Sequence, residues 1–187
     1  MIWMPMYIHV IFSYLAAVGF AVFLNSPKKT LYVAGGIGMV SWIIYVLLMR
    51  INIDMMTSNF IAAAVAALIS EILARKMKKP TILFIVPGII TLIPGLGLYN
   101  TMFYVVEGDF QLAFTTGANV FLASGAIALG VIVISSLFRT YYKNLKEKLG
   151  KVILNLRNNP NQVKKYDKPS HVVEIIDSYL KDLLKGI

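Results

Sequence analysis

The stretch ILFIVPGIITLIPGLGLYN, residues 82–100, is almost wholly apolar and yet carries two Pro-Gly pairs, Pro87-Gly88 and Pro94-Gly95. Proline inside a helix removes a backbone donor and collides with the carbonyl four residues earlier, and glycine lowers the cost of unusual dihedrals. Seven residues separate the two prolines, nearly two helical turns, so both irregularities fall on almost the same face. Broken backbone at membrane depth persists only where protein buries it or a watery cavity lines it, and transporters hold polar solutes at such half-helix ends. The decisive question is whether this stretch lies in a membrane.

Composition answers it. Of the 187 residues 58% are hydrophobic and 14% charged, against about 45–50% and about 25% in soluble domains. A hydrocarbon core roughly 30 Å thick takes about 20 apolar residues of helix. Five runs approach that length: Tyr7 to Leu24, Thr30 to Met49, Thr57 to Leu73, Thr81 to Leu98 and Gly117 to Phe138. The expected fold is an all-α integral membrane protein of about five transmembrane helices, the fourth broken by its Pro-Gly pairs. Nothing basic precedes the first run, so it does not read as a cleaved leader.

Cytoplasmic connections should be rich in Lys and Arg. Lys28 and Lys29 follow the first run, Arg50 alone the second, and Arg75, Lys76, Lys78 and Lys79 the third. The connection after the fourth has Glu107 and Asp109 and no base, and Arg139 opens a basic tail. The alternation predicts an outside N-terminus and a cytosolic C-terminus. It also predicts two regions, a membrane domain over 1–138 and a cytosolic tail over 139–187.

The tail holds eleven of the 18 Lys and Arg and five of the 9 Asp and Glu. Attraction to anionic lipid accounts for that charge, and no base-reading motif argues for nucleic acid. Leu145, Leu149, Val152 and Leu156 form one helical stripe; Val172, Ile176, Tyr179, Leu180, Leu183 and Ile187 form another; RNNPNQ (157–162) lies between. Two amphipathic helices are expected, lying on the membrane or docking to a partner.

Within the bundle, small residues must provide close contact, because lipid removes the hydrophobic drive between helices. Ala62 with Ala66, Ala63 with Ala67, Gly35, Gly36 and Gly38, and Ala126 with Gly130 supply such faces. Polar residues at depth are few: Ser41, Glu71, Thr116, Asn119 and Ser124, with His9 near the outer end of the first span. Glu71 and His9 are the candidates for proton coupling, although the favoured reading of Glu71 is a pair with Arg75 at the cytosolic surface and that of His9 an interfacial imidazole. Asn119 and Ser124 stand about 140° apart on a helix and need not share a partner. With no cysteine and only His9 and His171, far apart in the chain, no metal site or cofactor is expected. The spans lack HExxH, GxSxG or paired carboxylates, which argues against an enzyme.

Three blocks, GFAVFLNSPKKTL (19–31), VPGIITLIPGLGLYNTM (86–102) and TTGANVFLASGAIALG (115–130), resemble in order and spacing the smaller membrane component of the threonine/serine exporter family. The resemblance covers roughly residues 8–140 and leaves the tail as an extension. It implies export of small hydrophilic metabolites, threonine- and serine-type amino acids or small dicarboxylates such as succinate, coupled to protons across a bacterial plasma membrane. By position the family motifs fall on Asn25, Pro27, Pro87, Pro94, Gly95, Tyr99, Asn119 and Ser124; with Gly88 and Thr116 these give the expected transport path. It further implies a second, larger membrane component as partner, a second copy of this chain being the other option. A membrane scaffold acting through the amphipathic tail is the alternative function.

Overall fold

In a computed structural model of the chain, residues 5–158 are described, and among them there is helix and no strand. The helices are α1 (Met6–Phe23), α2 (Lys28–Arg50), α3 (Met55–Met77), α4 (Ile82–Ile89) with a 3₁₀ turn at Ile90–Leu92, α5 (Gly95–Glu107) and α6 (Phe110–Asn158). Four of them are long and apolar enough to cross a membrane, and the α4–α5 pair, bent by 55°, makes a fifth span if counted as one. This is the expected architecture with three differences. Helix resumes after the break and runs to Glu107, where a loop was expected after Leu98. The last helix starts seven residues before Gly117, capped by Asp109, whose carboxylate accepts from Leu112 N–H at 3.0 Å. It also continues without interruption past Phe138 to Asn158, so the first tail stripe belongs to α6.

The chain divides into two units, Met1–Phe138 and Arg139–Ile187. The second tail stripe, from Val172 to Ile187, lies outside the described residues.

Helices this apolar need sharp stops, because nothing in their side-chain pattern ends them. The stop is the same device each time. At the end of α1, Asn25 adopts a left-handed φ of 53°; Ser26 N–H reaches Ala21 O at 3.0 Å and Asn25 N–H reaches Val22 O at 2.9 Å. That paired arrangement closes the orphan carbonyls of a helix end. Asn52 (φ 62°) repeats it after α2, Lys78 (φ 52°) after α3 and Gly108 (φ 81°) after α5, with Ile53 bonded to Leu48 O, Lys79 to Ala74 O and Asp109 to Tyr104 O. Asparagine and glycine tolerate this region best. Pro27 then opens α2 and Asp54 opens α3, so Asn25 and Pro27 have a turn-forming role.

Asp54 caps α3 by accepting Thr57 N–H at 3.0 Å. That bond holds its carboxyl below the usual aspartate range. A depressed folded value means the stabilisation is complete above the ordinary value of about 3.9 and is lost as pH falls through the folded one. Melting temperature, followed in detergent from about pH 6 to about pH 3, is expected to fall at the acid end in the parent. Asp54→Asn, which keeps an acceptor but no charge, should flatten that fall, and Asp54→Ala should melt lower throughout.

Packing rests on small residues. Ala17 and Ala21 of α1 are fully buried against α2, where Gly35 lies under Val18 and Gly38 under Ala17. On α3, Ala62, Ala63, Ala66 and Ala67 are fully buried, and Gly130 of α6 approaches so closely that a Cβ there would fall 2.6 Å from the Phe60 carbonyl oxygen. The α4 segment leans on α2 through Phe84 and Ile37. Two hydrogen bonds tie them: Ser41 donates to Gly88 O at 2.8 Å and Thr91 donates to Gly38 O at 3.2 Å. Such interhelical bonds contribute about 0.6 kcal/mol each in membranes.

Candidate functional site

The two Pro-Gly pairs behave differently. Pro87 is buried inside α4 and leaves the helix continuous. Its missing N–H is followed within three residues by the tighter 3₁₀ turn, with Ser41 bonded to the Gly88 carbonyl. The chain turns at Pro94, whose φ of −76° and ψ of 65° place it at the centre of an inverse γ-turn, closed by Gly95 N–H to Ile93 O at 2.8 Å. The eight residues of α4 and three of the 3₁₀ turn rise about 16–18 Å. Measured from the basic Lys78-Lys79 turn, that is roughly half of the 30 Å of hydrocarbon that a span must cross.

A cleft of about 400 Å³ opens at this break. Pro94, Leu96, Gly97 and Asn100 form one wall, Thr116 and Asn119 of α6 another, and His9, Trp42, Tyr45 and Met55 the side made by α1, α2 and α3. These residues come from the end of the bundle away from the Lys28-Lys29 and Arg75–Lys79 connections. The lining residues include no Lys, Arg, Asp or Glu, so the cleft presents hydrogen-bonding groups and aromatic faces without a formal charge. Glycine makes the wall possible: Gly97 lies against Val120, and Gly117 has Thr101 at 3.1 Å from where a Cβ would stand.

His9 is 7% exposed. Its Nδ1 accepts a hydrogen bond from Trp42 Nε1–H at 3.1 Å, and Trp42 in turn packs on Tyr45 with ring centres 5.3 Å apart. His9 and Trp42 also wall a second cleft of about 400 Å³ reaching Phe12, Ser13 and Thr91. The pair thus borders both clefts.

Of the residues read from the sequence, His9, Pro94, Thr116 and Asn119 meet in the cleft. The others lie elsewhere. Pro87 and Gly88 are buried against α2, Gly95 opens α5 at the surface, and Tyr99 is 65% exposed beside Phe103. Ser124 is exposed on α6. Glu71 pairs with Arg75, 3.1 Å between Oε2 and Nη2, at the basic end of α3, and Arg75 lies over the Phe138 ring. Trp42, Tyr45 and Asn100 are lining residues that the sequence did not single out. Their one signal is an aromatic pair three residues apart at the same end of the bundle as His9.

The sequence model of the threonine/serine exporter family, ThrE, matches residues 9–137. The chain belongs to the threonine/serine exporter family. The match opens on His9 and closes just before the basic tail, so every residue lining the cleft falls inside it. This family member is also similar to an uncharacterized protein of Haemophilus influenzae, 26% identical over 136 residues, an alignment covering 68% of this chain and 46% of the relative. The chain thus spans about half the length of the curated relative that it matches. No solved structure matches it. Family and helices together make it a multi-pass membrane protein of a transporter family.

Proposed function

We propose that this chain is one membrane subunit of a secondary exporter for small hydrophilic metabolites, threonine- and serine-type amino acids or small dicarboxylates, in a bacterial plasma membrane with its N-terminus outside and C-terminus inside. The observation that carries the reading is the cleft at Pro94: helix breaks there within an apolar, span-length segment, and Asn100, Thr116 and Asn119 converge with His9. Discontinuous helices of this kind hold solute in secondary transporters. The absence of a lysine or arginine from the lining favours a zwitterion over a dianion, since a dianion would be desolvated without a counter-charge.

The partner is a larger membrane component of the same exporter. Asn119 and Ser124 are exposed on α6, and polar side chains at membrane depth face protein or water rather than acyl chains. The family relative is about twice as long as the stretch it shares, which leaves room for a companion half there.

Proton coupling runs through His9. It lines the cleft, whereas Glu71 is engaged by Arg75. A proton added at Nδ1 sets donor against donor with Trp42 and breaks that hydrogen bond, linking protonation to the contact that borders both clefts. The remaining titratable group in the cleft lining is Tyr45.

Efflux of labelled threonine, serine and succinate is expected from cells making both components and not from cells making either alone. Full efflux from liposomes holding this chain by itself would refute the two-subunit reading. With both components present, no efflux of any of the three solutes would refute export of these substrates.

A further inference from the structure

Trp42 and Tyr45 stand one helical turn apart on α2, and both line the cleft at Pro94. Their ring centres are 5.3 Å apart with the planes inclined at 32°, and each residue is only partly buried. An indole can donate one hydrogen bond and accept none. That donor is already spent on His9 Nδ1, so toward a solute Trp42 offers ring carbon and nothing else. Held at one edge by the bond to His9 and packed on Tyr45, the ring is set in place before a ligand arrives. The face of an aromatic ring carries the negative part of its quadrupole and attracts a cation, tryptophan most strongly.

The rest of the lining suits the same kind of ligand. It has no Asp or Glu to neutralise a cation and no Lys or Arg to occupy the rings. Asn100, Thr116 and Asn119 add side-chain oxygens to the walls, and none of the three side chains has a hydrogen-bond partner among the described residues. Neutral oxygens and aromatic faces hold an ammonium group without a counter-charge from the protein. A solute whose own carboxylate balances its ammonium brings no net charge into such a lining and is the least costly to desolvate there.

We propose that Trp42 and Tyr45, with the side-chain oxygens of Asn100, Thr116 and Asn119, form an ammonium-binding subsite. The ligand class is a small zwitterion bearing a primary ammonium group. The subsite deepens the exporter reading and rests on it for its place on a solute path; binding itself is measurable without transport.

The full-length chain with Trp3→Phe, which leaves Trp42 its one tryptophan, is produced in a tryptophan-requiring host fed tryptophan or its mono-, di- or trifluorinated form. Each fluorine withdraws charge from the ring face, while the shape of the indole and the N–H that meets His9 are kept. Binding of radiolabelled L-threonine is measured in lipid nanodiscs, with this chain alone and with the separately produced larger component added. Affinity is expected to fall stepwise with the number of fluorines, by roughly three- to thirtyfold across the series. β-Hydroxybutyrate, which is threonine without its amino group, should compete at least about tenfold more weakly than unlabelled L-threonine. Tyr45→Phe should stay within about twofold of the parent, and Tyr45→Leu should lose roughly five- to thirtyfold. Affinity indifferent to fluorine, equal competition by β-hydroxybutyrate, or no saturable binding in either preparation would each overturn the subsite. If Tyr45→Leu fails to fold, the fluorine series decides alone. Fluorine-dependent binding without efflux in the two-component assay leaves the subsite and removes the exporter reading. Threonine efflux whose KM ignores fluorine does the reverse.

Discussion

Gly130→Leu is expected to abolish recovery of folded protein, and Gly130→Ala to cost about 1–3 kcal/mol of stability. The reason is backbone meeting backbone. A Cβ at Gly130 would stand 2.6 Å from Phe60 O, 3.1 Å from Ala64 N and 3.2 Å from Ala63 Cβ. A flexible side chain could swing away from such an intruder, but the α3 main chain moves only if the helix shifts. In lipid there is no hydrophobic drive to recover once the close packing of α3 on α6 is gone. Gly125, on the same helix, is the control: a Cβ there meets nothing within 4 Å. Gly125→Ala should be neutral or slightly stabilising, since alanine is the better helix former by about 1 kcal/mol. Monodisperse yield and thermal unfolding in detergent read both. A Gly130→Leu protein with the parent's yield and melting point would show that α6 does not pack on α3 at this distance.

Run length and the placement of lysine and arginine made the spans legible in the sequence. The expected Tyr7 to Leu24 and Thr30 to Met49 lie within two residues of α1 and α2 at each end. Thr57 to Leu73 stops four residues short of the C-terminal end of α3, because Arg75 and Lys76 carry the charge of a connection, whereas a helix can carry charge into the interface. Helix α5 was missed for a related reason. The apolar run ends at Leu98, yet the stop signal, Gly108 with its φ of 81°, comes only after Glu107. Polarity at depth pointed to His9, Thr116 and Asn119, which the fold gathers into one cleft. It could not point to Trp42 and Tyr45. An aromatic residue in an apolar run looks like packing until α1 lies beside α2 and sets His9 against the indole. The equivalence of the two prolines was misleading too. Their shared helical face says nothing of which one buried contacts with α2 will hold in line.

Pro94→Ala separates fold from function most sharply. Alanine restores an N–H that can reach the carbonyl of Ile90, which now accepts only the 3.3 Å bond from Ile93, and it removes the ring that kept residues 90–94 out of helix. With Ile82–Leu92 and Gly95–Glu107 already helical, a single rod of about 39 Å becomes accessible, long enough to span the hydrocarbon. The variant should fold at least as well as the parent and gain a few residues of helix by circular dichroism. It should nevertheless lose efflux by at least about tenfold, because the first-turn N–H groups of α5 would then be bonded to carbonyls of the preceding turn and the cleft would close on its main-chain side. Pro87→Ala is the matched comparison. Pro87 already sits inside a continuous helix pinned to α2 by Ser41 and Thr91, so the same substitution there should leave efflux within about twofold. If both variants transport alike, the bend at Pro94 is only a turn in the path of the chain, and solute passes elsewhere. If only Pro94→Ala fails while its fold is intact, the broken backbone itself belongs to the solute's path.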